Sequence, residues 1–181
     1  RQAEYPARFQ LVAAMNPCPC GHLGDARGRC RCPPERIAAY RSRISGPLLD
    51  RIDLHVEVGR VALEEIAATA LPERSAAVAA RVAEARLLQR RRQARTNARL
   101  EGNDLAVQCC ADPAALELLA RAMRQLGLSA RAYHRVLRVA RTIADLAGRP
   151  GVGVEHVAEA ITLRQLDRRS ASSEQGGGVS G

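Results

Sequence analysis

Apolar and polar positions follow one pattern up to about residue 60 and another beyond it. The run FQLVAAM, residues 9–15, is apolar almost throughout and lies between Pro6 and Asn16-Pro17. A short unbroken run of this kind predicts a strand buried on both faces of a parallel sheet. IDLHVEV, residues 52–58, instead alternates Ile52, Leu54, Val56 and Val58 with Asp53, His55 and Glu57. Period two predicts a second strand, half buried. Between them, residues 16–34 are crowded with Pro, Gly and Cys and predict an irregular loop. PPERIAAYRSRI predicts a helix with Pro in its first turn and Ile37, Tyr40 and Ile44 on one face. SGPLLDR predicts a turn and a short helical segment.

From residue 62 onward the patterns are helical. ALEEIAA predicts a short helix stopped by Pro72, and residues 75–98 a long one with Val78, Val82, Ala85 and Leu88 along a face. Asp112-Pro113 reads as a cap followed by Pro at the first helical position, with Gly127 at the far end. Ser129 predicts the next cap, and that helix runs toward Gly148 with Pro150 beyond. A last helix spans residues 154–166, and residues 168–181, ending GGGVSG, form a flexible tail. The expected class is α/β followed by all-α. The α/β portion occupies residues 1–60, a helical domain residues 61–167 and the tail the rest. Two strands do not make a stable parallel sheet by themselves, so the earlier strands are expected upstream of residue 1.

Composition narrows the partners. All 28 basic residues are Arg, and the net charge is +9. A GC-rich coding sequence accounts for the Arg and Ala richness as readily as function does. The charge nonetheless favours a polyanion, nucleic acid first. The opening RQAEYPARFQ lacks the apolar segment of a secretory signal, and no run approaches a membrane span. The reading is cytoplasmic, where cysteines serve as thiols or metal ligands more often than as disulfides.

Four of the six cysteines fall in the loop as Cys18-x-Cys20 and Cys30-x-Cys32. Two close pairs across a flexible GHLGDARGR can surround one tetrahedral Zn²⁺. Arg27, Arg29 and Arg31 would offset the charge of four thiolates, and His22 is a substitute ligand. A closed set of four protein ligands makes such a metal structural. The alternative is reduced thiols in a surface loop. Cys109 and Cys110, near a helix start, read as core. Arg51 precedes the second strand, where it could reach a neighbouring molecule or pair with Asp50 or Asp53. In the helix after Ser129, an apolar stripe of Tyr133, Val136, Leu137, Ala140 and Ala144 faces away from Arg131, Arg135 and Arg138. With no acid nearby, those arginines mark either a solvated face or one that holds an anion. Arg81, Arg86, Arg90, Arg91, Arg92, Arg95 and Arg99 on the long helix suit a solvated surface or direct DNA contact.

Taken together, FQLVAAMNPCPCG, CRC, YRSRISGPLLDRIDLHVEV and SARAYHRVLRVARTIADLAG resemble the magnesium-chelatase-like AAA+ ATPases of the competence protein ComM type. The resemblance runs from Pro6 to about Leu166. It implies the second half of an AAA+ core followed by a helical lid. Asn16 then matches sensor 1 at the tip of its strand, where it orients the attacking water or touches the γ-phosphate. Arg51 matches the arginine finger, acting on the nucleotide of the adjacent subunit. Arg131 matches sensor 2 at the start of the lid helix, on the phosphates of its own subunit. ATP with Mg²⁺, a hexameric ring and DNA as partner follow from the same resemblance, with helicase or branch-migration activity on incoming DNA. No GxxxxGK[ST] phosphate loop is present, so the expectation is that it lies upstream and that this chain alone does not hydrolyse ATP. The competing readings are a motor subunit of a metal chelatase and a zinc-stabilised nucleic-acid-binding module without ATPase activity.

Overall fold

A computed structural model describes residue 3 and residues 9–25, 27–59 and 73–164. The predicted helix at ALEEIAA and the predicted tail lie outside the described residues, and the final helix, predicted to residue 166, ends within them at Thr162. Among those described there are seven α-helices and one 3₁₀ turn. They are α1 (Pro34–Arg41), α2 (Gly46–Leu49), α3 (Ser75–Gln93), the 3₁₀ turn Asn97–Arg99, α4 (Gly102–Cys109), α5 (Pro113–Leu126), α6 (Ala130–Leu146) and α7 (Val154–Thr162). The chain divides into two compact units, Arg1–Ser45 and Gly46–Gly181. The boundary read from the pattern at residue 60 falls on a residue outside the description.

Neither predicted strand forms. Residues 9–15 and 52–58 carry no strand pairing, and the only β-bridge among the described residues is a parallel one between Ala111 and Val152. The reason is physical. A strand needs a neighbour to take its backbone donors and acceptors in register. Among the described residues neither segment has a paired strand, and the second has isolated contacts with Leu163 and Arg164. Their apolar side chains stand in the open, with Phe9 78% and Val58 90% exposed.

In the first unit, α1 begins as its sequence dictates, with Pro33 extended at the N-cap and Pro34 in the first turn. Ile37, Tyr40 and Ile44 are the half-buried face that the spacing predicts. Arg41 Nε donates to the Pro17 carbonyl at 3.3 Å and ties the helix to the cysteine loop.

The second unit is built around α6. Leu137, Val136, Ala140 and Ala144 are buried, as their stripe predicts, beside Leu119 and Ala115 of α5, Leu105 of α4 and Val157 and Ala160 of α7. α6 packs against α7, α3, α4 and the 3₁₀ turn, and α5 packs against α7. The caps follow the sequence closely. Ser129 Oγ accepts the Ala132 N–H at 3.2 Å, one of the donors that a helix start leaves over. α5 ends on Gly127 at φ 61°, and the Leu128 N–H bonds back to the Met123 carbonyl at 3.1 Å. That left-handed turn is one glycine adopts without strain.

Two helical boundaries differ from expectation. α3 stops at Gln93, five residues short of the predicted end, because Ala94 turns left-handed at φ 57°. α4 is an element the pattern did not predict, and it makes Cys109 a helix end instead of a helix start. Cys109 is buried in the core, but Cys110 is exposed, so only the first of the pair is a core residue. Burial pushes the Cys109 thiol up to about 11.

An unforeseen polar cluster lies inside this helical unit. Arg141 is fully buried. Its guanidinium donates to Asp145 Oδ1 at 2.8 and 3.1 Å, and to the carbonyls of Pro150 at 2.8 Å, Arg149 at 2.6 Å and Cys109 at 3.3 Å. Arg92 of α3 forks onto both oxygens of Asp145 at 2.6 and 3.0 Å. Asn97 completes the set, donating to Asp145 Oδ2 at 2.8 Å and accepting from Arg92 at 2.9 Å. Arg92 is therefore not one of the free surface cations that the sequence suggests.

Candidate functional site

The cysteine loop is shaped by its glycines. The chain turns after Cys18, with the Gly21 N–H on the Cys18 carbonyl at 3.0 Å and Gly21 at φ 75°. It turns again with the Asp25 N–H on the His22 carbonyl at 3.1 Å and the Gly28 N–H on the Asp25 carbonyl at 2.9 Å. These turns bring the second Cys pair back onto the first. Cys18 Sγ lies 3.3 Å from Cys20 Sγ and 3.7 Å from Cys30 Sγ, and Cys20 and Cys30 are 3.7 Å apart. All four sulfurs of Cys18, Cys20, Cys30 and Cys32 lie within 4.8 Å of one another. His22, the substitute ligand suggested by the sequence, does not belong to this set.

The sulfurs divide their protons unequally. Burial pushes the Cys18 thiol up, but hydrogen bonds from Cys20, the Leu23 amide and Cys30 outweigh it and bring it down to about 6. The His22 amide lowers Cys20. The Cys32 amide favours the Cys30 thiolate, yet burial and the sulfurs of Cys20 and Cys18 push that group up to about 11. Cys32 is raised, first by Cys20. Two sulfurs are thus shifted toward the thiolate and two away from it. Of the three arginines expected to offset the charge, Arg29 is held by Asp25, while Arg27 and Arg31 are exposed. Asn16, at the foot of the loop, is exposed, and its side chain lies over Gly21, where a Cβ would stand 3.7 Å from the amide carbon.

In the helical unit, the segment carrying Arg51 is held on every side except at Arg51 itself. Ser129 Oγ donates to Asp50 at 3.2 Å, and Arg164 approaches the same carboxylate at 3.7 Å. Arg164 also donates to the Ile52 carbonyl at 3.1 Å. Arg135 pairs with Asp53. The His55 N–H donates to the Leu163 carbonyl at 2.6 Å. Arg51, between them, is exposed, and among the described residues it donates only to the Pro47 carbonyl, at 2.9 Å. Neither Asp50 nor Asp53 pairs with it, so the ion-pair alternative does not hold.

Arg131 is exposed at the start of α6 and has no ion-pair partner among the described residues. Its two supposed companions are engaged. Arg135 holds Asp53, and Arg138 donates to the Leu100 carbonyl at 2.8 Å. The three arginines are thus not one anion-binding face. Arg81 of α3 pairs with Glu73, which leaves Arg86, Arg90 and Arg91 of that helix exposed; Arg95 and Arg99 lie beyond its end, Arg95 paired with Asp104 and Arg99 exposed in the 3₁₀ turn.

A helical unit preceded by a four-cysteine loop and an arginine-bearing segment is matched in sequence by proteins of the magnesium-chelatase class. The chain belongs to the magnesium chelatase subunit ChlI family. The family's C-terminal model matches residues 72–164, and the ChlI model itself matches residues 1–66. The chain is 42% identical over 166 residues to competence protein ComM of Haemophilus influenzae, covering 91% of this chain and 32% of that one. It is 43% identical over 165 residues to the uncharacterised YifB protein of Salmonella typhimurium, with 91% and 32% covered. An uncharacterised Mycobacterium bovis protein, Mb2921c, is 41% identical over 169 residues, with 91% and 33% covered. The chain therefore spans about a third of the length of the curated relatives it matches. No described helix is long and apolar enough to cross a membrane.

Proposed function

We propose that this chain is the lid-and-finger portion of a ring-forming AAA+ motor that hydrolyses ATP with Mg²⁺ and acts on DNA, in a role such as branch migration. The observation that carries the reading is the tethering around Arg51. The carboxylates at positions 50 and 53 are taken up by Ser129, Arg164 and Arg135, which leaves one guanidinium unneutralised on a fixed stretch of backbone. A fixed, unpaired arginine is what a trans-acting finger requires, since it must meet developing phosphate charge with little reorganisation. Arg131 stands on the helix whose cap, Ser129, holds Asp50, and it supplies the second phosphate contact as sensor 2. Asn16, solvent-exposed before the cysteine loop, is the sensor 1 group. The exposed apolar side chains of residues 9–15 and 54–58 are the surface that the rest of such a core covers. Membership in the ChlI family supports ATP, and the basic charge agrees with a polyanion such as DNA.

The test joins this segment to the remaining two thirds of the Haemophilus influenzae relative and measures ATP hydrolysis with and without branched DNA. Stimulation by branched DNA is expected, with turnover reduced about 10³-fold or more in Arg51→Ala while nucleotide binding is retained. Hydrolysis that ignores DNA would favour a chelatase-type motor, and unchanged turnover in Arg51→Ala would remove the finger assignment.

A further inference from the structure

The geometry points to Cys18, Cys20, Cys30 and Cys32 as a resident Zn²⁺ site that locks the loop of residues 18–32. The assignment stands on the loop alone and does not depend on the motor reading. Four thiolates at about 2.3 Å from one zinc place neighbouring sulfurs about 3.8 Å apart. Three sulfur pairs here already stand at 3.3, 3.7 and 3.7 Å, with the fourth cysteine inside the same 4.8 Å limit. The sulfurs converge on one point, across a loop that a reduced, unliganded set of thiols has no reason to fold back so tightly.

The donor set selects the metal. Four sulfurs reject Ca²⁺ and Mg²⁺, which take oxygen ligands. An iron–sulfur cluster is also held by four cysteines, but it interposes several irons and sulfides and spreads its ligand sulfurs wider than a single tetrahedron. These sulfurs are too close together for one. Zinc fits both the softness and the spacing, and with four protein ligands it leaves no open position for catalysis. Metal binding displaces the remaining thiol protons into solvent, one from each cysteine that still carries one.

The loop carries its own reporter. Arg27, Arg29 and Arg31 sit between the Cys pairs or within the second of them, and each is exposed to trypsin. The 181-residue chain is purified under reducing conditions and its metal content measured by plasma mass spectrometry. About one zinc per chain is expected, falling sharply in Cys30→Ser and unchanged in a Cys109→Ser/Cys110→Ser variant. Chelator treatment should speed trypsin cleavage at residues 27–31, and added Zn²⁺ should restore protection. Because Cys30→Ser could simply misfold, Co²⁺ is also added to the unaltered, metal-stripped chain. Intense thiolate-to-cobalt charge transfer with tetrahedral ligand-field bands is expected. Zinc far below one equivalent, no thiolate band with Co²⁺, or bound iron with acid-labile sulfide would each overturn the assignment.

Discussion

Asp145 holds two arginines with one carboxylate. Burial by itself would raise its carboxyl, but the hydrogen bonds from Arg92 and Asn97 and the charge of Arg141 hold it below the usual carboxylate range. Its contribution is therefore complete above the ordinary carboxylate value near pH 4 and is lost as pH falls through the lower folded value. Urea unfolding between pH 7 and pH 2 should show the native protein losing stability through this acid window. In Asp145→Asn that loss should shrink, from a lower plateau at neutral pH. The plateau itself should drop by about 3–5 kcal/mol, because a fully buried Arg141 is left without its countercharge. This cluster was hidden from the sequence for a simple reason. Arg141 and Asp145 are spaced as an ordinary surface pair on a helix, and Arg92 is one arginine among many. What buries them is the return of the chain at residues 149–152, whose carbonyls no side-chain pattern announces. Arg51, Arg131 and the four cysteines were legible because their types and spacing carry chemistry wherever the backbone goes.

The helices were largely legible as elements, because a helix closes its hydrogen bonds within itself and advertises its ends. Asp112-Pro113, Gly127 and Ser129 mark ends that the structure keeps. Replacing Ser129 by Ala removes both the cap of α6 and the hydroxyl on Asp50. A loss of about 1 kcal/mol is expected from the cap, read as a shift of the urea midpoint. The end of α3 is not announced in the sequence, because Ala94 carries no stop signal, yet it adopts φ 57°. A side chain in that region is strained by roughly 1 kcal/mol or more. Ala94→Gly should accordingly raise stability by up to about 1 kcal/mol in thermal or urea unfolding, with the greater freedom of glycine in the unfolded chain taking back part of the gain. The strands illustrate the opposite case. Their periodicity is plain in the sequence, but a strand exists only beside another, and no residue within 9–15 or 52–58 specifies that partner.

Across the whole molecule, the 28 arginines overstate how many cations a polyanion meets. Arg81, Arg92, Arg95 and Arg135 already face carboxylates, and Arg141 is sealed inside. The cations of α3 available to DNA are Arg86, Arg90 and Arg91. If they contact phosphates, each replacement by Ala should lower the slope of log affinity against log salt by about 1, without changing sequence preference. An unchanged slope in titrations from low to moderate salt would rule out phosphate contact by these three arginines. Asp145 also has a consequence for how the helical unit comes apart. Arg92 belongs to α3, Asn97 to the 3₁₀ turn, and Arg141 to α6, and it reaches carbonyls beyond the end of α6. None of these segments can swing away without leaving a buried ion exposed to its own unpaired field. Amide hydrogen exchange should therefore find the last turns of α3 and α6 and the 97–100 stretch opening together as a single cooperative block, at one common free energy, and not as helices that fray separately.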